Sequence, residues 1–162
     1  MNFVEQLQIW ESNGALITFI VSMVPVIELR GAIPIGVAMG LSHLEAMSIA
    51  VIGNMLPVPF IVVFIRQVFA WMKTKIPKLR GMVEKLEARA ESKAETVRRW
   101  QFLGLMIFVA IPLPGTGAWT GALVAGIMGM RLKHSILPIL IGVIVAGILV
   151  TGITYGFTNI IA

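Results

Sequence analysis

Apolar residues dominate this chain in long uncharged runs, and two of the runs are interrupted by proline, glycine and polar residues. From Ser12 to Leu44 the only ionisable side chains are Glu28, Arg30 and His43. Pro25 and Pro34 bracket the two charges, and Gly31 follows them. Proline removes a backbone donor and obstructs a continuing helix. The limbs on either side, Gly14–Ile27 and Gly31–Leu41, are fourteen and eleven residues long. A helix needs ~20 residues to cross a bilayer, so neither limb crosses alone. The pattern predicts a re-entrant hairpin: a helix in, a broken polar tip, a helix out on the same side. Irregular backbone at that depth is tolerated only inside protein or beside a wet cavity. The tip is therefore the first candidate functional site. Residues 1–13 ahead of it are mildly amphipathic, with Glu5, Glu11 and an interfacial candidate in Trp10.

Ser42–Glu45 reads as a turn and helix start. Ala46–Ile65 is uncharged and long enough to span, with a kink or break expected near Pro57 and Pro59. Arg66, Phe69 and Trp71 suit an interface. Lys73–Arg99 then carries nine Lys/Arg and four Glu. Pro77 separates its basic start from a helix at about 80–100. On that helix Met82, Val83, Leu86, Ala90, Ala94 and Val97 share a face. Lys85, Arg89 and Lys93 flank one side of it, and Glu84, Glu87, Glu91 and Glu95 the other. Gln101–Met130 is uncharged again but broken by Pro112-Leu-Pro-Gly-Thr-Gly117, which predicts a second re-entrant hairpin. Arg131, Lys133 and His134 close it. Ser135–Ala162 is a clean spanning segment.

The two halves, about 14–72 and 101–162, thus share one grammar of short limb, broken tip, short limb, turn and full span. A cytoplasmic linker helix at about 73–100 joins them. Basic loops stay in the cytoplasm, so the 73–100 loop is expected inside. Hairpin one then opens outside and hairpin two inside, and both termini lie outside. The expected fold is all-α and integral to the cell membrane, multi-pass, with an inverted repeat in one membrane domain. In transporters that architecture gathers broken-helix tips near the midplane.

Composition agrees: 57% of residues are hydrophobic and 13% charged, with mean hydropathy +0.91. There is no cysteine and no aspartate, and both histidines lie outside the apolar segments. That argues against a metal centre, a cofactor-bearing thiolate or a catalytic dyad, so no enzyme activity is expected. The N-terminus lacks the basic and small-residue features of a signal peptide. The net charge of +5 is concentrated in one loop, which points to a membrane surface and away from nucleic acid.

Glu28 is a carboxylate inside an apolar run, a place where it can load and release a proton. The bland alternative is a static ion pair with Arg30. Arg30 offers a fork for phosphate or carboxylate, and half-helix N-termini at the tips favour anions. Pro34 belongs to the first motif. Asn54, at the expected helix break, either lines a path or makes an interhelical hydrogen bond. In the second tip, Pro112, Pro114, Gly115, Thr116 and Gly117 expose backbone, and Trp119 and Thr120 follow one turn on.

Three stretches carry a resemblance. ELRGAIPIG at Glu28–Gly36, PLPGTGAWTGAL at Pro112–Leu123 and IGNMLPVP at Ile52–Pro59 resemble the signatures of the small multi-drug export family. That family is similar to the wider DedA superfamily, whose members include polyprenyl-phosphate lipid transporters and lipid scramblases with two opposed re-entrant hairpins. The resemblance implies that fold. DedA-type chains carry a carboxylate near the first tip, matched by Glu28, and an arginine soon after the second. Pro114–Trp119 has no arginine; Arg30 is the nearest substitute.

The expected function is a transporter of an amphiphilic substrate, first an anionic lipid such as a polyprenyl phosphate, proton-coupled through Glu28. The alternative is efflux of small organic molecules. Expected partners are membrane lipids and a second copy of the chain. The homodimer is drawn from the small face Gly142, Ala146, Val150 and Thr154, and from antiparallel pairing of the charge-segregated linker helix.

Overall fold

The computed structural model describes residues 3–98, 101–113 and 115–161, and among them every regular element is helical. In chain order these are α1 (Phe3–Met23), α2 (Glu28–Ala38), α3 (His43–Met55) and α4 (Val58–Lys75). A 3-10 turn at Pro77–Leu79 leads into α5 (Arg80–Arg98), followed by α6 (Gln101–Ala110), α7 (Ala118–Ile127) and α8 (Leu132–Ile161). The chain forms two compact units. One holds residues 1–56 and 143–162, the other residues 57–142.

In the first unit α1 and α2 run antiparallel. Gly14 lies against Met39, while Thr18, further along α1, lies against Gly36, earlier in α2. A Cβ at Gly36 would come 2.5 Å from Thr18 Oγ1 and 3.1 Å from Ala46 Cβ, so α1, α2 and α3 meet there at backbone distance. Gly14, Thr18 and Ser22 recur every four residues and are all buried. Such a stripe lets helices approach closely where apolar surroundings give no hydrophobic drive. The Thr18 hydroxyl donates to Gly14 O at 2.7 Å and the Ser22 hydroxyl to Phe19 O at 2.7 Å. Burying these hydroxyls therefore leaves no donor unsatisfied.

α3 begins with a capping box. Glu45 N–H donates to Ser42 Oγ at 3.3 Å, and Ser42 N–H donates to Glu45 Oε2 at 2.9 Å. Two helix-start donors are satisfied reciprocally, as the Ser42–Glu45 spacing predicts. The later part of α8 completes this unit, with Gly147 against Met47 and Val51 and Tyr155 edge-on to His43 at 5.4 Å.

In the second unit α7 lies on α4, where Gly126 faces the Val62 carbonyl, and on α6, where Gly121 faces Val109 and Leu105. Ile139 and Gly142 of α8 close over Val109. α5 is seated by Val83, fully buried, and by an ion pair between Lys73 of α4 and Glu87.

Several boundaries depart from the sequence reading. Residues 3–13, set apart from the first limb in the sequence reading, are continuous with it as the first part of α1. Pro34 does not flank the break; it sits inside α2, where it withholds a donor from the Arg30 carbonyl. The break itself is Val24–Ile27. The interruption near Pro57 is real: α3 ends at Met55 and α4 starts at Val58, with Pro57 as its N-cap. On α5, periodicity put Met82 and Leu86 with Val83, yet they are 48% and 37% exposed. The Lys73–Glu87 pair turns the Val83–Glu87 edge inward instead. The Ala90, Ala94, Val97, Lys93 and Glu95 side chains lie outside the described ones. Glu84 is held by Arg80 at 3.0 Å within α5.

His43–Lys75 and Leu132–Phe157, 33 and 26 residues long, are apolar enough to cross a bilayer. Only 33% and 39% of their most apolar windows are buried. A core helix of a soluble protein would be mostly covered. Ile52, Phe60, Phe64, Ile148 and Ile153 instead face outward, as lipid-facing residues do.

Candidate functional site

The first tip is shaped by two strained residues. Val26 has φ 78° and Glu28 φ 50°, and neither is glycine. Left-handed backbone costs an L-residue ~1–2 kcal/mol. Glu28 N–H donates to Val24 O at 3.0 Å and Gly31 N–H to Ile27 O at 3.1 Å, which ties the turn to the start of α2. Residues two apart do not face each other on a regular helix. The left-handed twist at Glu28 removes that objection, and Arg30 Nη1 reaches Glu28 Oε2 at 3.6 Å. This is an ion pair too long for a hydrogen bond. Its two halves differ in access: the Glu28 side chain is 3% exposed and that of Arg30 17%. The carboxylate is the more deeply buried member of the pair. The carboxylate also stands at the N-terminus of α2, where negative charge is favoured.

Asn54 belongs to the same unit. It is fully buried, and neither Nδ2 nor Oδ1 has a hydrogen-bond partner. An unsatisfied buried amide costs ~1–3 kcal/mol. It follows Gly53, whose backbone presses on Ser22 and Phe19 near the end of α1. Ser22 in turn lies two residues before the tip. The interhelical hydrogen bond considered for Asn54 is not made.

The second tip is a loop closed on itself. Thr116 Oγ1 lies 2.6 Å from Ile111 O and 2.7 Å from Leu113 O, and Thr116 N–H donates to Leu113 O at 3.2 Å. Gly115 and Gly117 take φ 80° and 125°, the left-handed half of the map that only glycine enters freely. α7 then starts at Ala118, with Gly121 N–H donating to Gly117 O at 2.8 Å. Trp119 and Thr120 sit partly exposed in its first turn. Pro112 lies in the loop, and Pro114 lies outside the described residues. The Thr116 hydroxyl is thus engaged in holding the loop shape.

Glu28, Arg30, Pro34 and Asn54 fall in one unit; Pro112, Gly115, Thr116, Gly117, Trp119 and Thr120 fall in the other. Among the described residues no cluster of His, Cys, Asp and Glu is arranged to hold a metal ion.

A family model of small multi-drug export proteins, a provisional name, matches residues 28–149. The chain belongs to the small multi-drug export protein family. The match opens at Glu28, takes in Asn54 and the whole second tip, and ends inside α8. No match was found among the curated proteins or among the solved structures. Membership in this export family, with two long apolar helical stretches, α3–α4 and α8, that face outward, makes the chain a membrane protein with transmembrane helices.

Sequence reasoning passed over Thr18 and Ser22, which are fully buried beside the first hairpin. Their signal was the four-residue spacing from Gly14 within an otherwise apolar limb.

Proposed function

We propose that this small multi-drug export protein moves an amphiphile with an anionic head group across the membrane, with Arg30 as the group that meets the head. The unequal burial of the Glu28–Arg30 pair carries the reading: the cation is the more accessible member, and the carboxylate is nearly sealed. An arriving phosphate or carboxylate competes with Glu28 for the guanidinium, and a fork-shaped donor matches such oxygens. Displaced from its cation, Glu28 takes up a proton, because a buried carboxylate without its counter-charge is costly. Release of the anion restores the pair and expels the proton. A polyprenyl phosphate has this head and tail, as the likeness to DedA-type transporters suggests. In this reading the buried, unpartnered amide of Asn54 is a second polar contact for the head once the path opens.

The reading includes two oppositely oriented re-entrant hairpins, α1–α2 opening outside and α6–α7 opening inside, in one membrane domain with the basic linker in the cytoplasm. It is supported by a shared chain plan. The stretch α3–α4 starts in the unit of the first hairpin and ends in that of the second, and α8 does the reverse.

The family name favours a second reading, export of organic drug-like molecules. A cationic drug would need Glu28, the more deeply buried of the pair, as its first contact. Reconstituted proteoliposomes given a short-chain polyprenyl phosphate and, separately, ethidium separate the two. The expected outcome is movement of the phosphate alone, reduced at least tenfold in Arg30→Gln, and without pH dependence in Glu28→Gln. Movement of ethidium alone, undiminished in Arg30→Gln, would establish the second reading in place of the first.

A further inference from the structure

Away from both tips, α4, α5 and α7 line an open cleft of about 320 Å³. That volume is at the small end of small-molecule sites, which run ~300–1,000 Å³. Two cations and two anions line it: Arg66, Lys73, Glu87 and Glu91. Lys73 and Glu87 neutralise each other in their ion pair. Arg66 and Glu91 have no ion-pair partner among the described residues. The cavity therefore presents one open positive and one open negative charge, beside Phe69, which is 6% exposed. A simple anion would be repelled by Glu91 and a simple cation by Arg66; a molecule carrying both charges satisfies both.

We propose that this cavity binds a zwitterionic phosphoethanolamine group, its phosphate on Arg66 and its ammonium on Glu91. The guanidinium fork suits phosphate oxygens, and a primary ammonium donates hydrogen bonds to a carboxylate. A choline head has no N–H to give Glu91, and a glycerol head has no positive charge. The head group reaches the cavity either as part of a bilayer lipid or as a free solute. The surroundings favour the lipid: Val63, Phe64 and Val68 are exposed on α4 next to Arg66, and Trp71 is 57% exposed, as aromatics at a membrane surface are.

The full-length protein in mild detergent, mixed with phosphatidylethanolamine, phosphatidylcholine or phosphatidylglycerol, tests this by native mass spectrometry. The expected result is retention of phosphatidylethanolamine at least tenfold above the other two. Arg66→Gln and Glu91→Gln should each lower it about tenfold, and Ala70→Trp, which fills the cavity without altering charge, should abolish it. Lys85→Gln, outside the cavity, should change nothing, and thermal midpoints report whether each variant is folded. Titration with soluble glycerophosphoethanolamine identifies the source. Binding as tight as the lipid's assigns the site to a free solute, and absence of binding assigns it to the bilayer lipid. Equal retention of all three lipids, or undiminished retention in both charge variants, overturns the proposal. The readout is binding, so failure of the export reading leaves it unaffected.

Discussion

At the residue scale, the tip and its neighbour hold features that stability alone would remove. Asn54 has both amide atoms buried and unpartnered. Replacing a buried unsatisfied polar group with an apolar one of similar shape is neutral or stabilising. Asn54→Leu is therefore expected to raise the thermal midpoint, by an amount equivalent to ~1–2 kcal/mol, while lowering export. A lower midpoint with full export would mean that Asn54 is a packing residue. Val26 tells a similar story: its φ of 78° is strained for a β-branched side chain, and it is 90% exposed, so burial does not explain it. Val26→Gly is expected to relieve about 1 kcal/mol and to loosen the setting of Glu28. In proteoliposomes it should slow transport without unfolding the protein.

At the element scale, close approach of helices decides which glycines can change. A Cβ at Gly53 would collide with Ser22 Oγ and lie 2.6 Å from the Phe19 carbonyl, which is backbone and cannot swing away. Gly53→Ala is expected to destabilise by ~1–3 kcal/mol, the usual cost of overpacking. Gly81, near the start of α5, has open space where a Cβ would stand, with nothing within 4 Å. There the change to Ala gains helix propensity worth up to ~1 kcal/mol. Thermal midpoints of the two variants should move in opposite directions; movement in the same direction would contradict the packing of α1 on α3. Ser42→Ala removes half of the capping box and is expected to cost about 1 kcal/mol, read by the same measurement.

At the scale of the whole molecule, orientation and assembly follow from charge and from surface. We propose that Ser42 faces outside and Ser92 the cytoplasm. Cysteines introduced there should react with an impermeant reagent from opposite sides of the membrane. Labelling from one side only would end the inverted-repeat reading. For assembly, the surfaces expected to join two copies are largely occupied. Gly142 lies on Met106 and Val109, and Ala146 and Val150 are 2% and 8% exposed. Glu84 and Glu87 are paired within the chain. A cysteine at position 146 is thus expected not to crosslink two copies. We propose that a homodimer, which native mass spectrometry would reveal, uses exposed apolar residues of α8 such as Ile144, Ile148 and Ile153.

Much of the secondary structure was written in local rules. Proline at 25, 57 and 112 marked each break, because a missing donor is a local feature of the chain, although Pro34 and Pro138 sit inside helices. The Ser42–Glu45 spacing marked the start of α3, since both cap partners lie within one turn. The excess of apolar residues marked a bilayer protein, and three motifs marked its family. Distances between charges were not local. That Glu28 reaches Arg30 depends on a left-handed residue that no propensity favours. That Asn54 is left without a partner depends on Gly53 seating α3 against α1. That Glu87 turns inward depends on Lys73, fourteen residues away along the chain. Periodicity states which residues share a helical face, but it does not state which face a neighbour will cover. Packing of helix on helix decides that, and with it the unequal burial of Glu28 and Arg30 and the charge left open between α4 and α5.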